Sequence, residues 1–253
     1  VSDGQGTTLD EFLGGQIAVE QPRIGYRAGV DPVLLAGAVP AKAGQSVLEL
    51  GCGVGVASLC LGRRVHGLHL FGVERQESYA ALARDNALRN EVEFHVETGD
   101  LEHLPDTLRS RSFDHVIANP PYFKRDRSQA AIDEGREIAM GEDTPLDIWV
   151  KTAAKRLALK GTATFIHRAE RLPDLLHSVT RYLGSVQVLP LVPREGRDAR
   201  LILLRARKGG KASFRLHDSL TVHRGKQHDR DQDDYTPAIK ACLRDGQTLP
   251  FPD

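Results

Sequence analysis

The sequence predicts an α/β fold: a doubly wound, mostly parallel sheet of seven strands that closes with an antiparallel hairpin at its C-terminal edge. Three observations predict it. Between Ser46 and Leu183, short β-rich apolar runs alternate with helical stretches, the pattern of repeated βα units. The first run, Val47–Leu50, leads straight into glycines at 51, 53 and 55, giving strand, turn and helix in order. Past Leu183, the apolar runs Val186–Val192 and Leu201–Arg205 face each other across Pro193–Arg197, most simply an antiparallel pair.

The elements follow in order. Leu9–Pro40 carries a Gly14-Gly15 turn and a helix over Pro32–Ala38, and reads as a cap over the sheet whose polar centre needs its own explanation. After the first strand, Val56–Val65 has helical spacing and Leu68–Val73 reads as the second strand. Glu77–Arg89 is an Ala- and Leu-rich helix, and Val92–Val96 and Phe113–Ala118 are the third and fourth strands. Pro145 starts a helix over Leu146–Leu159 that Gly161 closes; Thr162–His167 is a strand and Leu172–Leu183 a helix. The tail offers a strand within Ser213–His223, a solvated acidic run at Asp229–Asp234 and a helix at Pro237–Arg244. Three parts are expected: a cap over 1–45, a core over 46–210 and an extension over 211–253 packed on the core.

Composition bounds the function. The 253 residues carry 34 Lys and Arg against 34 Asp and Glu, which excludes blanket basicity and leaves any nucleic acid to a local patch. No apolar run reaches the roughly 18 to 20 residues that cross a bilayer, so no membrane partner is expected. Cys52, Cys60 and Cys242 form no C-x-x-C pair and suit a reducing, cytoplasmic compartment. The ten histidines have no metal-ligand spacing, so no metal is expected. The chain opens on Val1 and its single methionine is Met140, so residues are expected to precede Val1. Oligomeric state leaves no trace in the sequence.

The chemistry gathers at strand ends. Glu49-Leu50-Gly51-Cys52-Gly53-Val54-Gly55 puts glycines where backbone must turn tightly and let a ligand approach. The third glycine comes one residue early for a dinucleotide fingerprint, which argues against a nicotinamide cofactor. Glu74 ends the second strand, where a carboxylate can accept from both hydroxyls of a ribose, and Gly99-Asp100 ends the third, where Asp100 can accept from an adenine amine. The fourth ends in Asn119-Pro120-Pro121-Tyr122, the sharpest signal in the chain. The prolines fix the backbone, so the Asn119 side-chain oxygen and the Pro120 carbonyl can both accept from one NH2 group. Accepting hydrogen bonds from both N–H groups favours the tetrahedral amine whose lone pair attacks a methyl carbon. Tyr122 adds a face for a flat substrate. Cys52 has no base beside it and reads as a small side chain near a cofactor; Trp149 reads as core.

These motifs resemble the class I S-adenosylmethionine-dependent methyltransferases of the small-domain superfamily, with the N-P-P-Y motif of amino methyltransferases and a Rossmann-like core. Asp10–Gly15, Gln21-Pro22, Gly25-Tyr26-Arg27, Asp31–Leu35, the Leu-Ala-x-x-Asn-x-x-x-Asn run ending at Asn90, and Tyr235–Leu243 narrow the match. They resemble the bacterial valine-tRNA adenine-N6 methyltransferase family. The resemblance implies that Arg27 and Asp31 hold the amino-acid end of S-adenosylmethionine, the Gly51–Gly55 turn with Glu49 and Cys52 its methionine part, Glu74 with Arg75 its ribose, and Asp100 with Gly99 and Leu101 its adenine. Asn119 then stands between the cofactor, left as S-adenosylhomocysteine, and the target amine. The family often has Lys where Arg27 stands.

For substrate, an adenine beside an anticodon is single-stranded and needs no large recognition domain. Arg194, Arg197, Arg200, Arg205, Arg207, Lys208 and Lys211 make the hairpin either a tRNA-facing rim or a charged guard of the sheet edge. Lys124 and Arg125 follow Tyr122 and open a charged segment to Thr144 that reads as a lid or as plain disorder. A protein glutamine target is the alternative, since the same loop serves an amide, although about 45 residues before the first core strand leave little room for the helical domain of such enzymes. A small-molecule or O-methyltransferase is the other.

Overall fold

In the computed structural model, residues 6–124, 141–142, 144–225 and 234–251 are described. The chain starts with an antiparallel hairpin of β1 (Thr7–Phe12) and β2 (Ile17–Pro22), which pairs only with itself. Its turn needs glycine: Gly14 has φ 65°, and an added Cβ would stand 2.9 Å from the Arg244 carbonyl oxygen. Helix α1 (Asp31–Ala38) follows, with Pro32 in its first turn.

The βα alternation then runs β3 (Ser46–Leu50), α2 (Val56–Arg64), β4 (His69–Glu74), α3 (Glu77–Arg89), β5 (Phe94–Thr98), a single turn α4 (Asp106–Arg109) and β6 (Phe113–Ala118). Two-residue strands β7 (Phe123–Lys124) and β8 (Gly141–Glu142) pair in parallel, and the expected lid between them lies outside the described residues. Helix α5 (Leu146–Arg156), β9 (Leu157–Arg168), α6 (Leu172–Tyr182), β10 (Gly184–Val192) and β11 (Leu201–Arg207) complete the core. Short β12 (Arg215–Leu216) and β13 (Leu220–Thr221), then α7 (Pro237–Asp245), form the tail.

Seven strands lie in the order β10-β11-β9-β6-β3-β4-β5. The pairs from β9 through β5 are parallel, whereas β11 is antiparallel to both β9 and β10. The last long strand thus inserts beside the parallel set, and β12 and β13 pair with β10 on its outer side. The carboxyl ends of β3, β4, β5, β6, β9 and β10 therefore share one edge of the sheet, with the loop 193–200. Alternation along each strand feeds a core on each face: Val47, Ile117 and Ile166 on one, Leu48, Val116 and Phe165 on the other. Helices α1, α2, α3 and α7 cover the first face, α5 and α6 the second.

Three expectations are corrected. Helix α5 stops at Arg156, not Leu159, because Leu157 is fully buried as a strand residue opposite Phe113. The next residues bulge out of register, with Lys160 at φ 68° and Leu159 exposed. The expected strand over Ser213–His223 is two fragments, each paired with β10. Asp234, expected in a solvated run, instead pairs with Arg194 and His223.

The polar centre of the N-terminal segment has a physical account. Asn86 accepts from the Glu20 amide (2.7 Å) and donates to the Glu20 carbonyl (3.0 Å) and the Val54 carbonyl (3.1 Å). Asn90 treats Ala18 the same way, at 2.8 Å in both directions. Four residues of helix rise about 6 Å and two residues of strand about 6.6 Å, so the two amides meet the outward backbone of β2 as a surrogate strand.

Candidate active site

At the carboxyl edge a cleft opens, with about 960 Å³ of empty space including its mouth. The glycine turn forms one wall. Gly51 (φ 61°) is packed by Trp149, whose ring would stand 2.4 Å from an added Cβ. Gly53 (φ 53°) faces open space, with nothing within 4 Å of a Cβ built there. The Cys52 amide donates to the Val73 carbonyl (3.1 Å) and ties the turn to β4. From the end of β4, the Glu74 carboxylate accepts from the Gly53 amide and the Gln76 amide, both at 2.9 Å. Each oxygen takes one backbone bond and so has lone-pair capacity left. Past β5, one Asp100 oxygen accepts from the Glu102 amide (2.8 Å), and Asp100, Gly99 and Leu101 line the cleft.

The other wall is the loop after β6. Asn119 donates its amide NH2 to the Tyr26 hydroxyl at 3.4 Å, and its Oδ1 is buried with no hydrogen-bond partner among the described residues. The Tyr122 hydroxyl donates to the Asp31 carboxylate, and its carbonyl accepts from Arg171 (3.4 Å). The Tyr122 ring lies 5.5 Å from the His167 ring and 5.5 Å from the Arg168 guanidinium. Burial, and then the charge of Asp31, push both the Tyr26 and Tyr122 hydroxyls well above the ordinary phenol range, so both stay protonated. Burial raises the Asp31 carboxyl, against the Tyr122 hydrogen bond and the Arg168 charge, which hold it down.

The structure thus brings Gly51, Gly53, Glu74, Arg75, Gly99, Asp100, Leu101 and Asn119–Tyr122 to one cleft. Five expected cofactor residues do not line it. Arg27 bonds to Asp10 (2.5 Å), Thr8 (2.7 Å) and the Pro22 carbonyl (3.0 Å), which hold its guanidinium against the hairpin. Asp31 holds Tyr122. Glu49 is buried behind the turn, accepting from the Ser58 amide (3.0 Å) and hydroxyl (2.5 Å), and burial pushes its carboxyl up to about 8. Cys52 points into the core, where its sulfur would stand 2.9 Å from a Cβ on Gly72, and burial holds it as a thiol. Gly55 (φ 92°) caps α2, its carbonyl accepting from Leu59 (2.9 Å).

Tyr26, Tyr79, Gln76, Val73, Thr144 and Trp149 line the cleft without having been expected there. Trp149 belongs to the core as read, and also shows an edge to the cleft. Tyr26 stood in a quoted motif, but nothing in its spacing aims it at Asn119. The arginine hairpin divides. Arg194, Arg197 and Arg200 lie in the loop on the cleft edge, while Arg205, Arg207 and Lys208 lie toward the opposite edge and bond the carbonyls of Ala38, Lys160 and Leu157. Those last three are structural. Lys124 is placed in β7 by its backbone, and Arg125 lies outside the described residues. Among the described residues no group of three or more His, Cys, Asp or Glu could hold a metal, and no helix is long and apolar enough to cross a membrane.

A family model described as "Methyltransferase small domain" matches residues 28–139. In fold, the chain is similar to a predicted O-methyltransferase from Agrobacterium tumefaciens (TM-score 0.68, 22% identity, 87% of this chain and 97% of that one). It is also similar to a 16S rRNA methyltransferase from T. thermophilus in complex with AdoMet and guanosine (TM-score 0.54, 20% identity, 80% and 50%). In sequence it is 30% identical over 230 residues to the tRNA1(Val) (adenine(37)-N6)-methyltransferase of Porphyromonas gingivalis, covering 85% of this chain and 88% of that relative. A cleft lined by Glu74, Asp100 and the Asn119–Tyr122 loop at neighbouring strand ends accords with these relatives, and the chain belongs to the S-adenosylmethionine-dependent tRNA1(Val) (adenine(37)-N6)-methyltransferase family.

Proposed function

We propose that this chain methylates N6 of an adenine in a single-stranded tRNA loop, adenine 37 beside the anticodon as in the name of its relatives. One observation carries the reading: the Asn119 Oδ1 is buried at a cleft wall without a partner among the described residues, while its NH2 group is engaged by Tyr26. A buried acceptor left unpaired costs about 1 to 3 kcal/mol, which a substrate NH2 group relieves on binding.

The open space at Gly53 and the spare acceptor capacity of Glu74 and Asp100 fit S-adenosylmethionine. Glu74 would hold its ribose, Asp100 its adenine amine and the Gly51–Gly53 backbone its methionine part. When bound, the cofactor supplies an electrophilic methyl group. The chain's own residues do the rest. Asn119 accepts a hydrogen bond from the target amine and so turns the amine's lone pair toward the methyl; Pro120 and Pro121 keep that acceptor in place without a donor of their own. Tyr122 offers a stacking face worth about 1 to 3 kcal/mol for a base. Arg197 and Arg200 sit on the same edge for phosphates, Arg194 beside them being held by Asp234 and the Arg224 carbonyl, and residues 1–45 act as a cap over the core at 46–210, with 211–253 packed on it. Such a substrate places the enzyme in the cytoplasm.

The test is transfer of labelled methyl from S-adenosylmethionine to tRNA lacking the modification, followed by nucleoside analysis. N6-methyladenosine with the natural chain, and at least a hundredfold less with Asn119→Ala at equal cofactor binding, supports the reading. Cofactor binding with no labelled nucleoside overturns it, and label in protein glutamine or a small amine instead names the alternative.

A further inference from the structure

Asp31 lies outside the cleft lining, yet its carboxylate accepts the hydroxyl of Tyr122, and Tyr26, five positions earlier, accepts from Asn119. Both ends of the Asn119–Tyr122 loop are therefore held by one stretch of the N-terminal segment. We propose that Asp31 is a positioning residue of the methyl transfer: it acts through Tyr122, setting the ring against which the target base stacks, rather than by holding the cofactor. The inference rests on the amine-methylation reading above.

Three features of the contact carry it. An ionised carboxylate only accepts, so the Tyr122 hydroxyl proton has one direction to point, and a bond to a charged acceptor is about twice as strong as a neutral one. The Arg168 guanidinium and the His167 ring stand beside the Tyr122 ring, so Asp31, Arg168 and His167 bound it from the tip and the side. Pro120 and Pro121 stiffen the backbone up to Tyr122 but leave its side-chain torsions free, and no other hydrogen bond to that hydroxyl exists among the described residues. Without Asp31, the ring has to be ordered when the base arrives, and that cost falls on the transition state.

The experiment compares Asp31→Ala, Asp31→Asn, Tyr122→Phe and the double variant Asp31→Ala/Tyr122→Phe, measuring kcat and KM for tRNA together with S-adenosylhomocysteine affinity and Tm. Asp31→Ala is expected to lower kcat/KM for tRNA at least tenfold with cofactor affinity unchanged within twofold. Asp31→Asn, which keeps an acceptor, restores most of that loss. Tyr122→Phe removes the same bond, so the double variant falls no further than the worse single one, a coupling that a purely structural role would not produce. Cofactor affinity lost in Asp31→Ala and kept in Tyr122→Phe overturns the inference and returns Asp31 to the cofactor's amino-acid end. Additive losses overturn it too. If the natural chain methylates no tRNA, the functional reading fails first, and the two failures are distinct.

Discussion

The parallel sheet and the N-terminal segment both bury apolar side chains, Leu13, Ile17 and Val19 among them, but satisfy their backbones by different means. In the sheet, Leu48, Val116, Phe165 and their neighbours are fully buried, and strand pairs a few βα units apart satisfy each other's backbone. In residues 6–30 the strands pair only with each other, and their outward backbone is met by Asn86 and Asn90 from a helix some seventy residues away. Gln21, almost fully buried, carries the next loop by accepting from the Ala28 amide (2.8 Å) and donating to Asp10 (2.8 Å). The contrast teaches that directional polar bonds set the register of this segment, on top of the burial of Leu13, Ile17 and Val19. Direction is what a segment needs if it is to aim Tyr26 and Asp31 at the Asn119–Tyr122 loop.

Removing one surrogate-strand residue breaks the contrast most sharply. Asn86→Ala strands the amide and carbonyl of Glu20 and the Val54 carbonyl, and is expected to cost about 3 kcal/mol by urea unfolding. Amide exchange should accelerate first in Ile17–Pro22 and only later in Ser46–Leu50. Uniform acceleration would show that the hairpin and the sheet are one cooperative unit.

An effect of similar size is expected inside the sheet, at its buried carboxyl. The Glu49 value rises to about 8, by burial first, then against the Ser58 bonds and with the charge of Glu74. The folded chain therefore holds this proton more tightly than the unfolded chain, whose value is near 4.5. The resulting stability is whole below about pH 4.5 and is lost as pH climbs through about 8. Glu49→Gln removes that dependence, so between pH 5 and 8 the Tm of the natural chain should fall against the variant by roughly 3 °C or more. Parallel curves would mean that Glu49 is ionised in the folded state.

The smallest change belongs to the exposed rim. Arg197→Ala should leave Tm unmoved and lower the slope of log tRNA affinity against log salt by about 1, one phosphate contact fewer. An unchanged slope removes Arg197 from the tRNA face and leaves that rim to Arg200, since Arg194 is held by Asp234.

Much of the core was legible because its signals are local. Glu77–Arg89 and Phe113–Ala118 were read to the residue, since an Ala-rich helix and an apolar strand announce themselves within their own length. The glycine turn, Glu74, Asp100 and Asn119–Tyr122 were legible because strand ends in a parallel sheet converge on one edge whatever fills the rest. The hairpin was not, because Thr7–Phe12 and Ile17–Pro22 carry polar residues that pair with side chains far away in sequence. Neither was the end of α5: Leu159 and Lys160 suit a helix, and only the burial of Leu157 against the sheet overrides them.

The sequence by itself therefore determined the doubly wound sheet, the glycine turn and the placing of Asn119–Tyr122 at a strand end, because periodicity and strand-end chemistry are written in neighbouring residues. Tertiary structure alone decided that Arg27 bonds the hairpin, that Asp31 reaches Tyr122 and that Tyr26 reaches Asn119. Each is a contact between a side chain and a partner whose place is set by how the N-terminal segment docks. That docking depends on four amide bonds from Asn86 and Asn90 to β2, and such geometry exists only once α3 and β2 lie side by side.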